Sequence, residues 1–163
     1  MSGGYGMCVW LTLRKQHAWN AAVRQLAQEL NSRPFRAHMT VETNTSERVH
    51  EVAHRARRLW VKGDLIPINN TTSSTDYPWD TNLPFHAITL PVYLSRCRVR
   101  VQGCASWFPK DAHVSLAYRV GGQAFTAEEC VLADTFVHGT HYTLGDSPEI
   151  QIVDASERAF WLW

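Results

Sequence analysis

Apolar positions along the chain change period several times, and each change marks a new element. Residues 7–13 (MCVWLTL) form a short β-branched and aromatic run, which predicts a buried strand from Met7 to Leu13. From residue 16 to 31 the period changes to three and four: Trp19, Ala22, Val23, Leu26 and Leu30 make the stripe of an amphipathic helix, which Pro34 prevents from continuing. Alternation returns over Ala37–Glu42, a second strand. Thr45-Ser46-Glu47-Arg48 then offers an N-cap to a second helix with Val49, Val52, Ala53, Ala56, Leu59 and Trp60 on its apolar face and Arg55, Arg57 and Arg58 opposite.

The second half reads mostly as strands. Gly63–Trp79 starts with Leu65-Ile66-Pro67-Ile68 and turns polar and Thr/Ser/Asn-rich, which reads as strand, loop, then turn. Residues 86–94 form a strand in which Pro91 points to an edge or a bulge, and Arg98–Val101 extends that hairpin. Ala112–Arg119 alternates. Thr126-Ala127-Glu128-Glu129 caps a third helix running to Val137, and Ile150–Val153 and Phe160–Trp163 close the chain as strands. Helices interspersed among antiparallel strands predict an α+β fold rather than a doubly wound sheet, and the Gly pair Gly121-Gly122 makes no phosphate loop.

Composition narrows the function classes. A length of 163 residues suits one domain with a real core, and 16 basic against 15 acidic side chains, net +1, offer no general attraction to duplex DNA or an anionic membrane. No apolar run approaches the roughly 20 residues needed to span a bilayer, and Met1–Gly6 lacks a secretory pattern, so the expectation is a cytoplasmic monomer. Cys8, Cys97, Cys104 and Cys130 form no C-x-x-C pair; the simplest reading is reduced, mostly buried thiols, with Cys97–Cys104 able to bridge a turn.

The chemistry lies in a repeat. Ala37-His38-Met39-Thr40-Val41 and Ala112-His113-Val114-Ser115-Leu116 share the pattern Ala-His-apolar-hydroxyl-apolar, and both fall on predicted strands. On a strand, residues two apart share a face, so each segment sets an imidazole beside a hydroxyl while its apolar residues turn to the core. Two such strands in one sheet would bring two imidazoles and two hydroxyls to one groove. Such a set suits a phosphodiester: one ring takes a proton, the other gives one, and the hydroxyls of Thr40 and Ser115 hold the phosphoryl oxygens. Neither a metal nor another cofactor is needed. His141-Tyr142-Thr143-Leu144 also fits the pattern but lacks the preceding Ala and follows a Gly-Thr turn, which makes it the weaker partner.

The pair resembles the signature of the two-histidine (2H) phosphoesterase superfamily, and most nearly that of plant and fungal cyclic phosphodiesterases. Those proteins open with a strand like Val9-Trp10-Leu11, then a helix, then a segment like Phe35-x-x-His38-Met39-Thr40-Val41; their second motif continues like His113-Val114-Ser115-Leu116-Ala117-Tyr118. The resemblance implies a bilobal fold of two pseudo-symmetric antiparallel sheets lining a central groove with helices outside. It divides residues 1–163 into a His-x-Thr half (1–62 and 120–163) and a His-x-Ser half (63–119). It also implies metal-independent opening of 2′,3′-cyclic nucleotide phosphates or of ADP-ribose 1″,2″-cyclic phosphate. His38 and His113 would then be the acid/base pair and Thr40 and Ser115 the phosphate clamps. Tyr118, Trp10 and Trp107, with Phe108 beside it, would be candidates for the groove wall or for stacking on a base. Arg96–Asp111 is too short for the helix that plant members place there.

Other readings stay open. The same chemistry serves 2′-5′-oligoadenylate or cyclic oligonucleotide signals, and a silent nucleotide- or RNA-binding module is the alternative of another class. The partner would be a small cyclic nucleotide, a short RNA or an oligoadenylate. His50 and His54 lie one helical turn apart and could hold a metal, but the arginines around them favour a solvated face. Arg96, Arg98 and Arg100 would share one strand face, protecting an edge or attracting an oligonucleotide, and Arg36 and Lys110 flank the two motifs.

Overall fold

The computed structural model describes residues 6–43, 48–60, 63–77, 83–95, 108–109, 111–145 and 148–154. The order is β1 (Met7–Thr12), α1 (Ala18–Glu29), β2 (His38–Thr43), α2 (Val49–Leu59), β3 (Asp64–Pro67), β4 (Thr72–Asp76), β5 (Phe85–Ser95), β6 (His113–Val120), α3 (Ala127–Val137), β7 (Tyr142–Thr143) and β8 (Ile150–Asp154). The fold is α+β: eight strands pair antiparallel along the path β7-β3-β5-β6-β2-β1-β8, with β4 also on β5.

Alternation along the central strands separates two faces. Val9, Leu11, Met39, Val114 and Leu116 are fully buried in the core, while their neighbours Cys8, Trp10, His38, Thr40, His113 and Ser115 line a cleft. The helices cover the core: α1 packs on β6 and α3, α2 on β8 and β1, and α3 on β4. The stripe of α1 buries Trp19, Ala22, Val23 and Leu26, and its N-cap is His17, whose Nδ1 accepts from the Trp19 N–H at 3.0 Å. α2 starts after Arg48, which makes no side-chain cap; Thr45, Ser46 and Glu47 lie outside the described residues. On its other face Arg57 donates to the Ile150 carbonyl at 2.9 Å. α3 begins with a full capping box between Thr126 and Glu129.

The structure corrects the polar stretch after Pro67. Thr72–Asp76 is a strand, not a loop. All five residues are exposed and polar, and among the described residues β4 pairs only with β5, so no apolar alternation announces it. Pro91 is also not at an edge: β5 lies between β6 on one side and β4 and β3 on the other. Pro91 falls where β5 exchanges β4, which ends its pairing at Thr89, for β3, which begins at Val92. At that break a missing N–H interrupts no ladder on the β3–β4 side. Phe160–Trp163 and Arg98–Val101 lie outside the described residues.

Candidate active site

The two motif strands are neighbours. β2 and β6 meet antiparallel at one bridge, Met39 opposite Val114, so each motif's His and hydroxyl flank the crossing on the side away from the core. β1 lies beyond β2 and β5 beyond β6. Trp10 stands opposite Thr40 and Thr12 opposite His38; Thr89 stands opposite Ser115 and Pro91 opposite His113.

Both motif strands carry a bulge at the same place. The pairing steps from Val9–Glu42 to Trp10–Thr40, leaving Val41 unmatched, and from Ile88–Ala117 to Thr89–Ser115, leaving Leu116 unmatched. In each case the extra residue directly follows the hydroxyl. A bulge shifts the alternation by one, so the residue three after the hydroxyl, not two, faces the cleft. That residue is Thr43 on β2 and Tyr118 on β6, and both line the cleft.

The cleft encloses about 400 Å³, within the roughly 300–1,000 Å³ of small-molecule sites. Its walls bring together His38, Thr40, His113, Ser115, Tyr118 and Trp10. Trp107 and Lys110 lie outside the described residues. Phe108 packs against buried Trp60 with ring centroids 5.2 Å apart, which commits it to the core side rather than to a base. β4, absent from the sequence reading, contributes Ser74, Thr75 and Asp76 to the opposite wall, and Cys8, Phe85 and Thr89 complete it. The β-branched threonines of β4 were the only strand signal there, and they read equally well as a polar loop.

Backbone carbonyls orient the two imidazoles. His38 Nδ1 lies 2.8 Å from the Arg36 carbonyl oxygen, and His113 Nδ1 lies 3.0 Å from that of Asp111. A carbonyl only accepts, so both Nδ1 atoms carry hydrogen, and in the neutral ring Nε2 holds the lone pair. Both donations reach back two residues. At the second motif the left-handed Asp111 (φ 56°) turns its carbonyl to the ring, a conformation Asp tolerates better than most residues.

The environments of the two rings differ. His38 is 3% exposed, with the Trp10 indole stacked 3.6 Å away at 14° and Phe35 edge-on at 5.9 Å. Burial, opposed in part by the Arg36 hydrogen bond and reinforced by the charge of His113, lowers its pKa to about 4. Tyr118 is buried between Phe35 and Phe85, stacked on Phe35 at 4.1 Å, and its hydroxyl reaches 3.3 Å from His38 Nε2. Burial raises the Tyr118 pKa, against a hydrogen bond with the Ser115 side chain, so the phenol keeps its proton and can donate to His38. His113, by contrast, is exposed to solvent.

The remaining sequence candidates lie elsewhere. His141 is exposed and Tyr142–Thr143 form β7 on β3, so the third motif copy does not reach the cleft; the His141 carbonyl instead accepts from His17 Nε2 at 2.8 Å. His50 and His54 are exposed on α2. Cys8 and Cys130 are buried and form no disulfide, burial raising the Cys8 thiol to about 12; Cys97, Cys104, Arg96, Arg98 and Arg100 lie outside the described residues. No helix among the described residues is long and apolar enough to cross a membrane. Neither a scan against protein-family models nor a search of curated proteins finds a match to this sequence.

Proposed function

We propose that this chain is a phosphodiesterase of the two-histidine kind, opening 2′,3′-cyclic nucleotide phosphates or ADP-ribose 1″,2″-cyclic phosphate without a metal. One observation carries the reading. Two His-x-hydroxyl strands sit side by side, with His38, Thr40, His113 and Ser115 in one cleft and each ring held by a carbonyl two residues back. The order β8-β1-β2-β6-β5-β4 supports two pseudo-symmetric lobes: it reads alike from either end, each motif strand precedes a helix, and each has its bulge at the same offset.

In this mechanism the phosphorus sits between the two Nε2 atoms, and Thr40 and Ser115 donate to its non-bridging oxygens. His38, neutral near pH 7 because it is buried, accepts a proton from the attacking water as the water oxygen bonds to phosphorus. The bond from phosphorus to one ribose oxygen breaks, and that oxygen takes the Nε2 proton of a doubly protonated His113. The products are one phosphomonoester and one free ribose hydroxyl. Tyr118 donates to the His38 lone pair between turnovers, and Trp10 fixes the plane of the ring.

The test is turnover in EDTA of 2′,3′-cyclic AMP beside 2′-5′ triadenylate. Cleavage of the cyclic nucleotide is the expected result, with His38→Ala and His113→Ala each lower by about two to four orders of magnitude. Reversible loss in EDTA would refute the metal-free scheme. Cleavage of the trimer alone would move the chain to the oligoadenylate class, and binding without cleavage of either would favour a silent nucleotide-binding module.

A further inference from the structure

A second cavity, of about 510 Å³, adjoins the first through Trp10. β1 runs beneath both: on its cleft face Cys8 lines the first, Trp10 lines both and Thr12 lines the second. Their charges differ. Among the described residues the first cleft holds no Lys or Arg, and its only carboxylate is Asp76. The second is lined by Lys15, Arg24 and Arg36 and by no carboxylate.

Two of those cations are uncommitted. Lys15 and Arg24 are exposed and make no hydrogen bond or ion pair with a described residue. Arg36 is partly held, its Nε donating to the Leu13 carbonyl at 2.7 Å and its Nη2 lying 3.3 Å from Glu149 Oε1. Asn20 ties the cavity floor together, its amide donating to the Leu13 and Arg14 carbonyls and its Oδ1 accepting from the Ala37 N–H. The floor is thus hydrogen-bonded within the protein, whereas the rim cations face solvent. Three clustered cations in a concave site beside Trp10, with His38 on its other side, form an electrostatic receptor for an anion on the same ligand.

We infer that the second cavity binds a further phosphate group of the substrate, one nucleoside away from the reacting phosphorus. The substrate class is then a cyclic phosphate on a nucleotide that bears another phosphate, rather than a bare nucleoside cyclic phosphate. This inference rests on the phosphodiesterase reading of the first cleft. The second phosphate could be a terminal 5′-phosphate or the next diester of a short strand, since Lys15 and Arg24 meet the same oxygen chemistry in both.

Calorimetric binding of products separates this inference from turnover. The probes are adenosine 2′-monophosphate, adenosine 2′,5′-bisphosphate and the dinucleotide ApA 2′-phosphate. The bisphosphate or the dinucleotide should bind the wild-type protein about tenfold tighter than the monophosphate, in a salt-sensitive way. Lys15→Ala/Arg24→Ala, at two exposed and unpaired positions, should erase that advantage. A gain with the bisphosphate alone assigns a terminal phosphate, and a gain with the dinucleotide assigns a strand. Equal affinities in the wild type, or an advantage that survives in the variant, overturn the inference. Turnover of 2′,3′-cyclic AMP without any phosphate advantage overturns the inference alone, and a phosphate advantage without turnover overturns only the catalytic reading.

Discussion

His38 concentrates most of what the site asks of a single residue. Its Nδ1 is fixed by a backbone carbonyl, one face is covered by Trp10, and its lone pair meets a protonated phenol. Burial outweighs the Arg36 hydrogen bond, which favours the charged ring, so the folded protein binds this proton only near pH 4 whereas an unfolded chain binds it near 6.5. Between those values the unfolded state holds more protons, and stability therefore rises with pH and is lost as pH falls from 6.5 towards 4. The loss attributable to this ring is about 3 kcal/mol. Denaturant unfolding at about pH 7 and about pH 4.5 should show the decline in the wild type and a shallower one in His38→Gln; identical slopes would mean that the ring is not sequestered. On the proposed mechanism the acid limb of kcat/KM likewise falls near pH 4 rather than near 6.5, because His38 must be unprotonated to act as base. Thr40→Ala and Ser115→Ala should lower turnover less than loss of either imidazole, since each removes one donor and leaves proton transfer in place.

At the scale of elements, the two bulges determine which side chains enter the site. Strict alternation from His113 would turn Ala117 to the cleft and Tyr118 to the core; the extra residue at Leu116 reverses that. The site also depends on what lies behind it. α3 packs on β4, whose Ser74, Thr75 and Asp76 form the far wall, and Glu129 in the first turn of α3 meets Arg119 of β6 at 3.2 Å. The Thr126–Glu129 capping box begins that helix. Thr126→Ala should therefore cost about 1 kcal/mol, read as a lower unfolding midpoint with an unchanged denaturant slope. A fall of only a few tenths would show that packing, not the cap, sets the start of α3.

Over the whole molecule the two motif strands are joined by a single bridge, and the relative position of the imidazoles depends on it. Met39 and Val114, which form that bridge, are fully buried. Met39→Ala should cost about 2–5 kcal/mol through the cavity it leaves, and it should also lower kcat because the strands that carry His38 and His113 lose their shared packing. Leu26→Ala, equally buried but on α1, serves as the control: it should lose comparable stability with a smaller effect on kcat. Equal effects on kcat would assign the loss to global destabilisation rather than to the junction.

Much of this arrangement was legible in the chain because it depends on local order. Periods of two and of three to four residues locate α1, β2 and β6, since burying one face of each element dictates which positions are apolar, while a short apolar run locates β1 and the Thr126–Glu129 cap locates α3. The repeated Ala-His-apolar-hydroxyl pattern marked the four residues that share the cleft, because residues two apart on a strand necessarily share a face. What depends on partners distant in sequence was not legible. β4 is polar and exposed along its length, and only its pairing with β5 reveals it as a strand. The Trp10 stack, the Tyr118 hydrogen bond and the depressed pKa of His38 arise from three strands meeting, and no single segment encodes that meeting. The cationic cavity likewise joins Lys15, Arg24 and Arg36 from a loop, a helix and the approach to β2. The sequence determined which residues could do the chemistry; the tertiary structure decided which of them meet, because burial and proximity are properties of the assembled sheet.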